Sequence, residues 1–377
     1  MNRRDYLTAA GAAGVAALAG CAGDGGGDTA TEEPDGGGGD GSPTETGTGP
    51  GTATETEPGT LTVATYPSLV EGDTPIGPWL KQEFEAEFDA TVEFATPESR
   101  LNYYIRRAKE GVDLEADLYV GLNVDQLLRI ENELDEPLFQ EPGEIQRRDR
   151  VREGLDFDPD GRVVPYDTGY ISLVYDESEV DDPGTFDALT TPGYRDTLIV
   201  ENAQTSATGR AFLLWSIHDK GADEYLDYWR DLKANEITVV GSWSDAYTAY
   251  SNGEKPMVVS YSTDQVYANR QGQDMTRHQV GFLDDQGYAN PEGMARFADA
   301  GDPELARQFV AFVLRPRVQG EIAVRNVQFP AVDDAELTEE FEQYAKVPPE
   351  PVTFTYEDLK GNVDEWVEAW AREIAQG

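Results

Sequence analysis

Aromatic and hydroxyl side chains follow four predicted strands, at the point where each strand ends. These residues are Tyr66, the run Thr205-Ser206-Ala207-Thr208-Gly209, Trp243 with Tyr247, and Tyr261 with Tyr267. Because ligands of α/β folds bind at the carboxyl ends of strands, we expect these side chains to converge on one cleft. Aromatic faces bind a flat or cationic ligand through stacking and cation–π attraction. The pattern predicts a binding site, with core packing as the alternative for any single aromatic residue.

The hydroxyl-rich run of this set also opens a predicted helix. Free backbone N–H groups and the helix dipole favour an anion there, and the hydroxyls of Thr205 and Ser206 add donors. Ordinary N-capping by Ser206 or Thr208 explains the same residues. The run therefore predicts either an anion subsite or a helix cap.

Catalytic chemistry has little support in the sequence. His218 and His278 are the only histidines, and neither lies in a metal-binding spacing such as HExxH. His218 lies beside apolar residues of a predicted helix, which is typical of a structural role. There is no GxSxG, P-loop or CxxC motif, and carboxylate pairs are expected by chance in so acidic a chain. We predict no catalytic residue, metal site or cofactor; a secreted hydrolase is the enzyme alternative, without a nominated nucleophile–base pair.

The elements that position these side chains alternate between strands and helices. Predicted strands occupy residues 61–66, 91–94, 116–120, 170–175, 197–200, 237–240 and 257–261. Predicted helices occupy residues 78–88, 99–109 with Ser99 as its cap, 124–132, 209–219, 222–234, 244–252, 303–314, 318–324 and 356–375. This order predicts an α/β protein with a mostly parallel sheet and helices on both faces.

The order of elements also predicts two lobes joined by more than one crossing strand. The first lobe is expected to comprise residues 60–165 plus about 290–345, and the second residues 166–289. Residues 346–377 form a C-terminal helical segment in this scheme.

The head of the chain predicts export and lipid attachment. Arg3-Arg4 precedes a small apolar stretch at 9–19, and the run Leu18-Ala19-Gly20-Cys21 contains the only cysteine. These features resemble a twin-arginine lipoprotein signal over residues 1–21, with lipid added to the Cys21 thiol. Residues 22–59 are rich in Gly, Thr and carboxylates, which predicts a disordered tether. A chance cysteine in an Ala/Gly-rich leader is the alternative, and a disulfide within the chain is excluded.

The net charge of −44, from 73 acidic and 29 basic residues, restricts the partners. It excludes a nucleic-acid partner held by phosphate contacts. The acidity either attracts a cationic ligand or forms the solvated surface of a protein that works in concentrated salt. The spread of carboxylates over the whole chain favours the second interpretation. Because the Debye length is about 3 Å at 1 M salt, the charge would not steer a ligand there.

The core from residue 61 to 375 resembles the thiamine-binding substrate-binding proteins of ABC importers. This family has a two-lobed periplasmic-binding-protein-like fold of type II, with the ligand cleft between the lobes. The resemblance depends on the order and spacing of these short motifs: Leu61-Thr62-Val63-Ala64-Thr65-Tyr66, Ala116-Asp117, Gly121-Leu122, Pro165-Tyr166-Asp167-Thr168-Gly169-Tyr170, Thr205-Ser206, Trp243-Ser244, Ala246-Tyr247, Ser260-Tyr261, Tyr267 and Phe329-Pro330. The stretch from Gly301 to Val310 resembles the wider class of two-lobed solute binders.

The resemblance implies a role for each of the main binding residues. Tyr66 and Tyr267 would pack around the aminopyrimidine ring of thiamine. Trp243 and Tyr261 would lie near the thiazolium and any phosphate. Ser206 and its neighbouring amides would receive the phosphate of phosphorylated forms.

Two positions depart from the family pattern. Asn123 stands where the family usually has Asp, so a carboxylate for the amino group or cation of the ligand is either absent or supplied by Asp125. Val327 stands where the family has Trp, so one stacking wall is missing. These departures predict weaker thiamine affinity or a related ligand, such as a phosphate ester or a pyrimidine precursor.

The resemblance further implies capture by closure of the two lobes and delivery to a membrane permease whose ATPase is a separate subunit. The expected protein is a monomer, lipid-anchored at the extracellular face of the cytoplasmic membrane. A receptor for ferric iron or another solute is the alternative among binders. Tyr261 is followed by Ser262 and lacks a paired tyrosine, which argues against iron.

Overall fold

The computed structural model describes residues 58–72 and 74–375, which fall within one structural unit. The predicted signal, Cys21 and the tether up to residue 57 lie outside the described residues. The strands are β1 (Gly59–Ala64), β2 (Ala90–Ala95), β3 (Leu118–Leu122), β4 (Phe139–Gln140), β5 (Val163–Tyr175), β6 (Leu198–Glu201), β7 (Thr238–Val240), β8 (Met257–Tyr261), β9 (Gln279–Gly281), β10 (Gln286–Phe297), β11 (Phe329–Pro330) and β12 (Glu350–Val352). The helices are α1 (Pro67–Val70), α2 (Ile76–Glu87), α3 (Leu101–Glu110), α4 (Val124–Glu133), α5 (Ala207–Lys220), α6 (Tyr225–Ala234), α7 (Trp243–Ser251), α8 (Asp264–Arg270), α9 (Pro303–Val313), α10 (Pro316–Arg325), α11 (Glu339–Tyr344), α12 (Tyr356–Leu359) and α13 (Val363–Ala375).

The strands form a mixed, 12-stranded sheet whose main order is β2-β1-β3-β10-β5-β8-β6-β7. β1 pairs in parallel with β2 and β3, and β6 pairs in parallel with β7 and β8. The long strands β5 and β10 pair antiparallel with each other, and each also pairs antiparallel with the group beside it. The sheet is therefore mixed rather than mostly parallel as predicted: two parallel groups are connected by two antiparallel strands.

Helices cover the sheet by burying their apolar faces against it. Leu61 of β1, Phe84 of α2 and Phe309 of α9 belong to one buried cluster. On the other side of the crossing strands, Ile199 of β6 packs in a cluster with Tyr250 of α7. This packing fixes the ends of β1, β6 and β8, from which the candidate binding residues extend.

Strand β10 is the main element that the sequence analysis missed. It contains Gly287, Pro291 and Gly293, residue types that argue against a strand in the middle of a sheet. It forms because it pairs with β3 on one side and with β5 on the other. Pairing partners distant in the chain thus override a weak local preference.

One predicted helix cap and one predicted continuous helix are wrong. Helix α3 begins at Leu101 with Arg100 at its N-cap, and Ser99 instead accepts a hydrogen bond on its Oγ from Arg106 Nη2 at 2.9 Å. Arg100 has a φ of 47°, which turns the chain before the first helical turn. The predicted final helix is divided into α12 and α13 because Gly361, with a φ of +79°, interrupts it.

Among the described residues, no helix is both long enough and apolar enough to cross a membrane.

Candidate functional site

A hydrogen-bonded cluster of phenols, carboxyls and an amide joins the end of β1 to the two crossing strands. The Tyr66 hydroxyl lies 3.0 Å from the Tyr166 hydroxyl, and the latter donates to Glu292 Oε2 at 2.7 Å. Asn326 Nδ2 donates to Asp167 Oδ2 at 2.7 Å and to the Tyr66 hydroxyl at 3.2 Å. Sequence analysis predicted only Tyr66 of these five residues. We call this set the carboxyl cluster.

A β-bulge brings the two carboxyls of this cluster together. In the antiparallel pair of β5 and β10, Glu292 is opposite Asp167 but Gly293 is opposite Pro165, so Tyr166 is the extra residue. Bulges re-aim side chains and are common beside functional sites. Here the bulge lets Tyr166 and Asp167, neighbours in sequence, both reach the cluster.

The carboxyl cluster contains two carboxyls, Asp167 and Glu292, and no cation that pairs with them among the described residues. Burial raises the pKa of Asp167 well above its usual range, and the nearby Glu292 carboxylate raises it further. Burial also raises the pKa of Glu292, against the hydrogen bonds from Tyr166 and Tyr66. No lysine or arginine in the described part of the chain forms an ion pair with either carboxyl. The cluster is therefore suited to a cationic partner.

A wall of three aromatic rings stands at the second group of strand ends. The Trp243 ring stacks on Tyr247 with centroids 5.1 Å apart and an interplanar angle of 28°. Tyr267 meets Tyr247 edge to face at 6.3 Å. Trp243 is still 39% exposed and Tyr267 43% exposed, so both present ring surface to solvent. We call these three residues the aromatic wall.

Buried polar groups hold the aromatic wall in place. Trp243 Nε1 donates to Ser260 Oγ at 3.0 Å. The Tyr247 hydroxyl donates to Asp264 Oδ1 at 2.6 Å, and Asp264 Oδ2 lies 2.7 Å from His278 Nδ1. Asp264 and His278 are both buried. His278 thus supports the wall from behind, whereas His218 packs its ring near Phe354.

Tyr261 lies near the carboxyls of the carboxyl cluster and follows, in sequence, a residue that holds the aromatic wall. Its ring covers Gly169 of β5, where an added Cβ would lie only 2.4 Å from Tyr261 Cδ1. Burial raises the pKa of Tyr261, and the charges of Glu292 and Asp167 add to the shift. Its neighbour in sequence, Ser260, is the residue that holds Trp243.

The segment 326–328 lies beside both the carboxyl cluster and Tyr261. Asn326 binds Tyr66 and Asp167, and Gln328 Oε1 would lie 2.6 Å from a Cβ at Gly169, beside Tyr261. Between them, Val327 has a φ of 55°, a strained conformation for a β-branched residue. Such strain persists only where surrounding contacts impose it, and it is concentrated at functional sites.

The hydroxyls after β6 make local hydrogen bonds. Ser206 is the N-cap of α5 and accepts from the Gly209 N–H at 3.3 Å. Thr205 Oγ1 donates to the Gly241 carbonyl at 2.7 Å. Capping by Ser206 is confirmed, and Thr208 lies inside the helix.

Asn123 and Asp125 both have protein partners. Asn123 precedes α4, is buried, and donates from Nδ2 to the Pro291 carbonyl at 2.9 Å. Asp125 forms an ion pair with Arg210 of α5. Within the carboxyl cluster, Asp167 and Glu292 form no ion pair with any described residue. The sequence analysis assigned neither a binding role, and it missed Glu292 because it did not predict β10.

Another buried carboxyl, Glu201, lies at the end of β6. Its side chain is fully buried and neither carboxyl oxygen has a hydrogen-bond partner. The first turn of α5 packs onto it so closely that a Cβ on Gly209 would lie 2.5 Å from the Glu201 carbonyl oxygen. Burial raises the pKa of Glu201 to about 8.

In the described ranges 58–72 and 74–375, no three His, Cys, Asp or Glu side chains come together in a way that could hold a metal ion. The geometry offers stacking surfaces and carboxyls without a cation, which is the chemistry for binding a flat, positively charged molecule.

Comparisons with known proteins agree with a binding site. The family model of bacterial extracellular solute-binding proteins matches residues 79–349. A thiamine-binding periplasmic protein of Salmonella typhimurium is 30% identical over 317 residues, which is 84% of this chain and 94% of that protein. A solved periplasmic thiamin binding protein superposes with a TM-score of 0.73 at 28% identity, covering 84% of this chain and 96% of that one.

An apo ferric ion-binding protein A of Pasteurella haemolytica also superposes, with a TM-score of 0.68 over 84% of this chain and 98% of that one. Its identity is only 13%, so this likeness shows the fold alone. Together the comparisons confirm the predicted α/β, periplasmic-binding-protein-like fold of type II.

Proposed function

The chain belongs to the bacterial extracellular solute-binding protein family, and on that premise we propose that it captures thiamine or thiamine phosphates. Its role as the substrate-binding component of an ABC importer follows from the family and from relatives named as thiamine-binding proteins. Two observations support the choice of ligand: Trp243 exposes ring surface, and the Asp167 and Glu292 carboxyls form no ion pair with a cation of the described residues. Thiamine combines a flat aminopyrimidine with a cationic thiazolium.

In this proposal each part of the ligand meets one part of the site. Tyr66 and Tyr267 flank the aminopyrimidine, and Trp243, stacked on Tyr247, faces the thiazolium beside Tyr261. The phosphate of a thiamine ester lies at the Thr205–Ser206 turn, where backbone N–H groups open α5. Asn123 and Asp125 shape the rim of the site through Pro291 and Arg210.

Capture takes place by closure of two lobes, residues 60–165 with about 290–345 and residues 166–289, while residues 346–377 form a C-terminal segment. Ligand contacts from both lobes favour the closed form. β5 and β10 are the strands that cross between the lobes in this scheme. The closed complex docks on a permease driven by a separate ATPase.

The proposal places the protein, as a monomer, at the extracellular face of the cytoplasmic membrane. Twin-arginine export and lipid on Cys21 supply the anchor, and the chain between Cys21 and the start of β1 at Gly59 supplies the tether. The acidic composition, with a net charge of −44, fits a surface that stays hydrated in concentrated salt.

Calorimetric titration of the full chain with thiamine in molar salt tests this function. We expect one-to-one binding at micromolar affinity or better, which corresponds to about 8 kcal/mol or more. Titrations with thiamine monophosphate, thiamine pyrophosphate and an aminopyrimidine precursor compare the affinities of the related ligands. A folded protein that binds none of them would contradict the proposal, and a visible phenolate-to-iron band with ferric citrate would assign the site to iron.

Gly121→Ala is expected to displace Tyr66 and weaken thiamine binding by more than about tenfold. A Cβ at position 121 would lie 2.5 Å from Tyr66 Cε1, and Gly121 has a φ of +98°. Gly111→Ala is the matched control, because Gly111 also has a positive φ but has open space around it. Both variants should lose about 1–2 kcal/mol of unfolding free energy to backbone strain. Equal thiamine affinity in both variants would remove the Tyr66 ring from the site.

A further inference from the structure

The two carboxyls of the carboxyl cluster differ in their surroundings. Asp167 is fully buried, and its Oδ1 has no hydrogen-bond partner. Glu292 is half-buried, and its Oε2 accepts the Tyr166 hydroxyl at 2.7 Å. An Oε2 position 3.9 Å from a Cβ built on Gly121 places the Glu292 carboxyl beside the Tyr66 ring as well. Of the two groups, Glu292 is therefore the one that a ligand can reach.

Several ionisable groups from the elements packed around the pair act on it. Tyr66 from the end of β1 and Tyr166 from β5 donate or share hydrogen bonds with it, and Tyr119 of β3 and Tyr261 of β8 lie within its electrostatic influence. Arg100, at the start of α3, acts on Glu292 at longer range and lowers its pKa. Neither Arg100 nor any other cation of the described residues forms an ion pair with the two carboxyls.

Two carboxylates at neighbouring positions on paired strands repel each other, and removing a carboxylate from water is costly. The two acids face each other directly, because Glu292 and Asp167 are register partners. Protonation relieves both costs in the absence of a ligand. A bound cation relieves the same costs for the ionised form.

We infer that Glu292 is the counter-charge for the cationic ring of the ligand and that Asp167 beside it stays protonated and neutral. This inference rests on the proposed function, because the cation it requires is the thiazolium. Glu292 ionises as it pairs with the cation, and its proton passes to the solvent. Glu292 thereby supplies the negative charge for the ligand. Asn123 has no charge to supply, and Asp125 forms an ion pair with Arg210.

The sign of the resulting pH dependence follows from linkage. Below the pKa of Glu292 in the free protein, each thiamine bound releases up to one proton. The affinity for thiamine then falls about tenfold for each pH unit of acidification. Above that pKa the carboxylate is already ionised, so the affinity no longer depends on this group.

The test is calorimetric titration of the full chain with thiamine, between about pH 5 and pH 8, in buffers of different ionisation enthalpy. The dependence of the observed enthalpy on the buffer gives the number of protons released. Glu292→Gln should bind thiamine about tenfold to hundredfold more weakly and release no proton. Asp167→Asn, the same chemical change on the partner strand, should retain the proton release. Thermal unfolding of both variants verifies that they are folded.

The neutral analogue 3-deazathiamine, in which a thiophene replaces the thiazolium, distinguishes the inference about Glu292 from the proposed capture of thiamine. The parent and Glu292→Gln should bind it with equal affinity and without proton release. If Glu292→Gln bound thiamine as tightly as the parent, or if proton release persisted in that variant, the inference about Glu292 would be overturned while thiamine capture stood. A parent protein that binds neither molecule would overturn both.

Discussion

Replacement of Trp243 by alanine is expected to abolish saturable thiamine binding, a loss of affinity of more than about hundredfold. Trp243 has the largest ring system of the aromatic wall and is 39% exposed. In the proposed complex, the ring face that does not contact Tyr247 is the stacking surface for the thiazolium. Loss of an indole removes both the stacking area and the cation–π attraction.

Stacking and hydrogen bonds hold the aromatic wall in place before the ligand binds, and for this reason we expect a large loss of affinity from removal of one ring. Tyr247 supports Trp243 from behind, Asp264 fixes the Tyr247 hydroxyl, and His278 fixes Asp264. A ring held in place before binding costs little conformational entropy when the ligand arrives.

Trp243→Phe keeps an aromatic face but loses the hydrogen bond to Ser260. We expect it to bind thiamine about tenfold more weakly than the parent.

Calorimetry of the full chain in molar salt measures both effects. Trp366→Ala is the matched control, because Trp366 lies on α13 against Phe354 and outside the proposed site. The control should bind thiamine with the affinity of the parent even if its unfolding temperature falls. Unchanged affinity in Trp243→Ala would exclude Trp243 from the site.

Replacement of Glu201 by glutamine is expected to stabilise the protein at neutral and alkaline pH by an amount on the order of 3 kcal/mol. Glu201 is fully buried without a partner for either oxygen, and burial raises its pKa from 4.5 to about 8. In the unfolded chain this group ionises near its ordinary pKa. The folded protein therefore retains a proton that the unfolded chain loses.

The stability that this group contributes is fully present below about pH 4.5 and is lost as the pH rises to about 8. Glutamine has nearly the same shape and no charge, so the difference in unfolding free energy between variant and parent should grow across that pH range and then level off. Denaturant titrations at a series of pH values measure the difference. Glu177→Gln, at an exposed position, should change the unfolding free energy by less than about 0.5 kcal/mol at every pH. A difference independent of pH in Glu201→Gln would show that Glu201 ionises normally.

Structural elements with local signals could be predicted from the amino-acid sequence. Alternating apolar residues and helical periodicity predicted the strand–helix succession from β1 to α4, and that succession is observed. Tyr66, Trp243 and Tyr261 were predicted as binding residues because each follows or ends an apolar strand. Ser206 was found because an N-cap is a signal of a few residues.

The contacts between residues distant in the chain could not be predicted in this way. Glu292 is hydrogen-bonded to Tyr166, which lies 126 residues away in the chain, and Asn326 is hydrogen-bonded to Asp167, which lies 159 residues away. No local pattern marks them, because β10 has the Gly and Pro content of a loop and the bulge at Tyr166 exists only once β5 and β10 are paired. Local propensity fixes short segments at small entropic cost, whereas pairing across long separations is decided by the whole set of burial and hydrogen-bonding partners. For that reason the aromatic residues of the candidate site could be predicted from the sequence, whereas its carboxyl cluster was recognised only in the fold.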